Sequence, residues 1–166
     1  MALIVTPSSA LSFLAACALL TVCSVTDLRQ RVVPNRIVAL GAISGIILVS
    51  ATGHLMSEVE LHIVAILMVS PVLYLLWRIG TIGGGDLKMI TVITIVSPGI
   101  ELTSWSPAMA EVIMGTLLQI LLMLTMAELY SRWYLRTHGG PERKGRTPLV
   151  PFLFAAYLAT QLLAFL

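Results

Sequence analysis

Six runs of apolar residues divide the chain, at positions 8–25, 37–51, 61–79, 87–102, 109–129 and 149–166, with short polar stretches between them. A helix needs about 20 predominantly apolar residues to cross a bilayer core roughly 30 Å thick, so runs of this kind predict membrane-crossing helices. The fourth run is the exception, because only Leu87 to Val96 is unbroken before Ser97-Pro98-Gly99. Two arrangements are open for it. Either the helix continues through Pro98 toward Leu102, or it begins below the membrane surface and residues 80–85 are irregular backbone at membrane depth. The second is tolerated only where such backbone is buried in protein or lines a wet cavity. The pattern predicts an all-α, polytopic membrane protein with about six transmembrane helices, built as one membrane-embedded domain over residues 1–166.

Composition points the same way: 58% hydrophobic and 11% charged residues, with a mean hydropathy of +0.97, do not describe a soluble domain. The implied partner is the lipid bilayer. A net charge of +2 supports no nucleic-acid partner, and in such a chain the placement of charge matters more than its sum. All ten Lys and Arg fall in three groups: Arg29, Arg31 and Arg36; Arg78 and Lys88; Arg132, Arg136, Arg143, Lys144 and Arg146. The other two loops, 52–60 and 101–111, hold Glu58, Glu60, Glu101 and Glu111 and no Lys or Arg. By the positive-inside rule the first, third and fifth loops face the cytoplasm and both termini lie outside. Met1 to Ala10 carries no basic residue to form the charged start of a cleaved signal, so the first run is expected to stay as a helix. Cys17 and Cys23, six apart, make neither a C-x-x-C pair nor a disulfide framework and read as small buried helix residues. The stretch 131–147, with Gly139-Gly140-Pro141, is expected to be a solvated basic loop near anionic headgroups. It lacks the G-K-[ST] ending of a phosphate-binding loop.

Candidate chemistry centres on Gly83-Gly84-Gly85-Asp86-Leu87-Lys88, at the start of the fourth run. An ionisable residue beside or within a membrane segment is costly and by default marks a functional site. Asp86 meets that description, and Asp27, just after the first run, is expected on the same side. Each has a structural alternative. Asp86 suits the N-terminus of the fourth helix, where a carboxylate accepts from free N–H groups and the helix dipole favours it. Asp27 sits at the C-terminal end of the first helix, where the dipole disfavours it; capping does not explain it, but pairing with Arg29 or Arg31 would. Two carboxylates brought close cannot both ionise easily, so they share a proton and serve as base and acid, which activates water against an amide. The glycines can adopt positive φ and, lacking a Cβ, leave room for a peptide backbone to approach.

These residues carry a resemblance. Gly83-Gly84-Gly85-Asp86-Leu87-Lys88 resembles the G-x-G-D motif of the type IV prepilin peptidases, membrane aspartic proteases that trim the leader from pilin and pseudopilin precursors. Ser24 to Asn35, SVTDLRQRVVPN, resembles the family's first catalytic segment, an Asp followed by a basic stretch and Pro-Asn. Pro148 and Pro151 are similar to its P-x-x-P, with Leu149 and Val150 in place of the aromatic-glycine pair often found there. The resemblance covers the whole chain in motif order, spacing and layout. It implies an intramembrane aspartic endopeptidase that cleaves prepilin leaders at the cytoplasmic face of the inner membrane, with Asp27 and Asp86 catalytic and exchanging roles. Gly83, Gly84 and Gly85 would admit the extended substrate, Lys88, Arg29 and Arg31 would help position it, and the scissile bond would follow a glycine ending a short basic leader. The chain resembles the short form that serves Flp or Tad-type pili. Longer members carry an insert with paired C-x-x-C motifs and methylate the new N-terminus; without it, the resemblance implies no zinc, no methyl donor and no other cofactor.

Lesser signals are read more plainly. His54, Glu58, Glu60 and His62 are expected to be solvated on an outer loop, not to hold a metal. Thr116 and Gln119 are expected to bond neighbouring helices, and Met68, Met114, Met123 and Met126 to fill the core. The rival to a peptidase is a small ion-coupled transporter or membrane scaffold whose two Asp carry protons or cations, although no second inverted half is visible.

Overall fold

The computed structural model describes residues 6–101, 108–138 and 148–163. The six apolar runs form α1 (Pro7–Gln30), α2 (Asn35–Ala51), α4 (Val59–Arg78), α5 (Gly84–Val96), α6 (Ala108–His138) and α7 (Val150–Leu163), and the loop between the second and third adds the single turn α3 (His54–Ser57). No strand occurs among the described residues. Three helices are long and apolar enough to cross a membrane, over Pro7–Gln30, Val59–Arg78 and Met109–Tyr134, and Asn35–Ala51 and Val150–Leu163 are shorter apolar helices. Their outer faces are apolar and uncovered: Leu40, Ile43, Ile47, Leu67, Leu117 and Leu121 are all exposed. A surface of this kind belongs against lipid, and the protein is an all-helical, polytopic membrane protein.

α1 packs on α7, α7 on α6 and α6 on α4, while α5 lies between α2 and α4 and touches α1 and α7 as well. α5 is buried through Met89, Ile90, Val92, Ile93 and Val96, with Thr91, Thr94 and Ile95 half-buried on its remaining side. Its 13 residues reach only about 20 Å at 1.5 Å per residue, short of a bilayer core. Pro98 ends it, since a residue before proline is driven out of the helical region, and Ser97 is extended at φ −140°, ψ 84°. The helix therefore does not continue toward Leu102, a residue outside those described. The backbone groups freed at the break are taken up by side chains from three neighbours. Ile100 N–H donates to Glu111 Oε1 (2.9 Å), Glu101 N–H donates to Gln161 Oε1 (2.9 Å), Gln161 Nε2 donates to the Gly99 carbonyl (3.1 Å), and Ser12 Oγ donates to the Val96 carbonyl.

The helices alternate in direction, so Arg29, Arg31, Arg36, Arg78, Lys88, Arg132 and Arg136 collect at one end and Glu58, Glu60, Glu101 and Glu111 at the other. At the acidic end the expectation of a solvated loop fails for the histidines. His54 and His62 are each only 3% exposed, their rings meet edge to face at 5.6 Å, and His54 Nε2 lies 3.4 Å from Glu101 Oε2. The reason is the break in α5, whose polar backbone draws polar side chains inward. The Glu101 carboxylate holds His54 above the ordinary imidazole range, burial works against it, and Glu58 adds to the rise. A raised folded-state pKa stabilises the fold below the unfolded value, about 6.5, and the stabilisation is lost as pH rises through the folded value. Melting followed in detergent from acid to mildly alkaline pH should show that loss. His54→Gln should flatten it, and an unchanged slope would exclude His54 as its source.

Two smaller expectations are also corrected. Of the methionines, Met123 is buried, but Met68 and Met114 face outward. The stretch from residue 131 is helical as far as His138, because α6 carries on with Arg132 paired to Glu128 (2.8 Å) and Tyr130 packed on Trp133. Gly139-Gly140-Pro141, Arg143, Lys144 and Arg146 lie outside the described residues. Cys17 and Cys23 are free thiols on α1; Cys23 is buried as expected, and Cys17 is only half-buried.

Candidate active site

The basic end of the bundle is shaped by how α4 stops. Gly80 adopts φ 78°, its N–H donates to the Trp77 carbonyl (3.0 Å), and Thr81 N–H donates to the Leu76 carbonyl (3.0 Å). This left-handed C-terminal turn needs glycine. The positive φ expected of the triple glycine thus falls on Gly80 instead. Gly83 is extended, at φ −78° and ψ 159°, and Gly84 and Gly85 are the first residues of α5.

Asp86 stands in that first turn and its Oδ2 accepts from Gly83 N–H at 3.1 Å. The capping role foreseen for it is real, and it does not exhaust the residue. Asp86 also lines a cavity of about 600 Å³ with Trp77, Gly83, Gly84, Leu124, Glu128 and Leu149 among the walls. A Cβ on Gly84 would come no nearer than 3.9 Å to any neighbour, the Trp77 ring nitrogen, and one on Gly85 would meet open space. Gly84 is therefore a wall of the cavity, and Gly85 is not among its lining residues.

Asp27 lies in the last turns of α1, 7% exposed, and its Oδ2 accepts from Val150 N–H at 3.2 Å. Val150 is the first residue of α7, so Asp27 caps a helix other than its own. The dipole that opposes a carboxylate at the end of α1 favours one at the start of α7. This is a structural role that the sequence reading missed. The one signal for it was Pro148 and Pro151, which open a helix with few N–H groups and leave Val150 in need of an acceptor. Leu149 lines the Asp86 cavity and its neighbour Val150 binds Asp27. The two carboxylates thus stand at one end of the bundle, with Leu149 and Val150 between them, and Asp27 is not itself among the residues lining the Asp86 cavity.

The three basic candidates are placed differently. Lys88 Nζ donates to Asn35 Oδ1 at 3.0 Å and lies against α2 in a shallow groove separate from the Asp86 cavity. It ties the Pro34-Asn35 motif to the glycine motif. Arg29 is exposed in the last turn of α1, and Arg31, also exposed, closes that helix in the left-handed region at φ 55°. A non-glycine residue there costs roughly 1–2 kcal/mol. Neither arginine lines the cavity. Among the described residues no group of three or more His, Cys, Asp or Glu is placed to hold a metal ion. Thr116 and Gln119 line a small internal cavity of about 20 Å³ near Ser97 and Glu111, far from the glycine motif.

A buried carboxylate beside a wide cavity, a second carboxylate within it, and glycine walls that admit a backbone suit hydrolysis of a peptide. Comparison with known proteins bears on this. No curated protein and no solved structure gives a significant match to the chain. A profile of the type IV leader peptidase family matches residues 14–128, a span that takes in Asp27 and Gly83 to Lys88 and stops short of Pro148.

Proposed function

The chain belongs to the type IV leader peptidase family, and on that premise we propose that it is an aspartic endopeptidase in which Asp27 and Asp86 are the reacting carboxylates. One observation carries the reading: Asp86 faces a cavity of about 600 Å³ whose wall, at Leu149, is continuous with the residue that Asp27 binds. In the reaction one carboxylate takes a proton from water, the water oxygen bonds to the scissile carbonyl carbon, and the C–N bond breaks as the other carboxylate protonates the leaving amine. Gly83 and Gly84 form the wall along which an extended chain lies. Lys88, Arg29 and Arg31 stand outside the cavity at the same basic end and position the leader from there, while Gly85, also outside it, makes no contact with substrate. The substrate is a prepilin or pseudopilin of the Flp or Tad type, cut after a glycine at the end of a basic leader, and the enzyme works with no cofactor. Co-expression with such a prepilin should yield a leader-sized mobility shift; unshifted prepilin beside abundant enzyme would refute this reading.

Our reading puts the basic end at the cytoplasmic face of the inner membrane, and the gathering of Lys and Arg there supports it. A reporter active only in the cytoplasm should be on when fused after Gly140 and off after Gly53. The opposite pattern would put the carboxylates on the wrong face. The transporter reading loses ground in the middle of α5, where buried Met89, Ile90, Val92 and Ile93 set an apolar layer between the polar groups of the two ends.

A further inference from the structure

Three carboxylates share the basic end among the described residues: Asp27, Asp86 and Glu128. The proposed reaction uses the first two and leaves the third without a role. Glu128 lines the same cavity of about 600 Å³ as Asp86, in the part of the wall that α6 supplies with Leu124, Ala127 and Ser131. Its partner is Arg132, one turn on, whose Nε donates to Glu128 Oε1 at 2.8 Å. Both side chains of that pair are exposed, at 60% for Glu128 and 68% for Arg132, and an exposed pair four residues apart contributes little to a helix. Glu128 Oε2 accepts no hydrogen bond among the described residues. A carboxylate has lone pairs for a second donor, so Glu128 keeps an acceptor for a cation that enters the cavity.

The rest of the lining suits such a cation. Trp77, from the last turn of α4, lines the cavity too. An indole face attracts an ammonium or guanidinium, and the aliphatic stem of a Lys or Arg packs well on an apolar surface. Thr81 and Ser131 bring hydroxyl oxygens, which accept from the same groups. We propose that Glu128 is a specificity-determining residue that forms, with Trp77, a subsite for a Lys or Arg side chain of the substrate's leader. The inference rests on the peptidase reading and deepens it. A cavity of about 600 Å³ is about 10 Å across, room for about three residues of extended chain, so the recognised cation lies within about three residues of the scissile bond. Arg132 holds the carboxylate at the wall, and the incoming side chain shares it.

The test measures cleavage by the purified full-length protein in detergent, with two probes: a Flp-type prepilin with a basic leader, and the same prepilin with the leader's Lys and Arg replaced by Gln. Glu128→Gln should raise KM for the basic leader about 10-fold, the loss of one hydrogen bond between charged groups, and should leave KM for the neutral leader where it was. The change falls on KM and not on kcat, and the melting temperature holds. Raising the salt from about 0.1 M to about 1 M, which cuts the screening length from about 10 Å to about 3 Å, should shrink the difference between wild type and variant. Arg132→Gln breaks the same pair but keeps the carboxylate, so it should retain the preference for the basic leader. Wild-type KM in Glu128→Gln, an equal rise for both leaders, or an equal loss of preference in Arg132→Gln would overturn the subsite and leave the peptidase reading intact. Wild-type protein that leaves both prepilins whole would sink the peptidase reading, and the subsite with it.

Discussion

Asp27→Asn, Asp86→Asn and the double variant should all fall to the same floor, on the order of 10⁴-fold or more below wild type in prepilin cleavage. Groups that act as one unit are grossly non-additive, so removing either is nearly as damaging as removing both. The structure makes the substitution a clean one. An Asn oxygen at position 27 still accepts from Val150 N–H, and one at position 86 still accepts from Gly83 N–H, so both caps survive. Asp27→Ala would be less informative, since it leaves the Val150 amide at the start of α7 unpaired at a cost of about 1–3 kcal/mol. Asp→Glu at either position keeps the charge but shifts the carboxylate, and misplacement on the order of 1 Å costs about 10²-fold. The measurement is the cleavage rate in membranes matched for enzyme amount. Near wild-type activity in either Asn variant would reduce that aspartate to the helix cap it visibly is.

Gly84→Leu should cut cleavage about 10²-fold while the protein accumulates normally. The nearest neighbour of a Cβ at Gly84 is 3.9 Å away, so the protein itself has room for the side chain. What the side chain occupies is the cavity wall two residues before Asp86, and a substrate held off by an ångström or more loses rate on that scale. Gly85→Ala is the contrasting case. Its Cβ meets open space outside the cavity, and replacing a helical glycine stabilises by about 0.5 kcal/mol. It should cleave at close to the wild-type rate and melt slightly higher. Equal losses in both variants would mean that the glycines matter for the backbone of α5 and not for the approach of substrate.

Much of this was legible in the sequence, for local reasons. Six apolar runs became helices because each buries or exposes a continuous apolar face, whereas the sequence left open whether the fourth helix passes Pro98, and it ends at Val96 with Ser97 out of the helical region. Gly80 was equally local, a glycine just past an apolar helix, although the run of three glycines drew the attention. What stayed hidden was long-range. Asp27 and Val150 are 123 residues apart, and the acidic end joins Ser12, His54, Glu101, Glu111 and Gln161 from distant positions. No periodicity carries such contacts. They follow from a half-length helix that stops inside the protein and must have its backbone satisfied there. The Lys88–Asn35 bond is similar, since each residue read as part of its own motif and their meeting belongs to the packing of α2 on α5.

The most direct measurement is the intact mass of a Flp-type prepilin after incubation with the purified protein in lipid, with no added metal or methyl donor. The account calls for loss of the leader at a single bond after a glycine, a product without the mass of an added methyl group, and no product from Asp27→Asn or Asp86→Asn. Prepilin unchanged by the wild-type protein, or the same product released by either Asn variant, would contradict it.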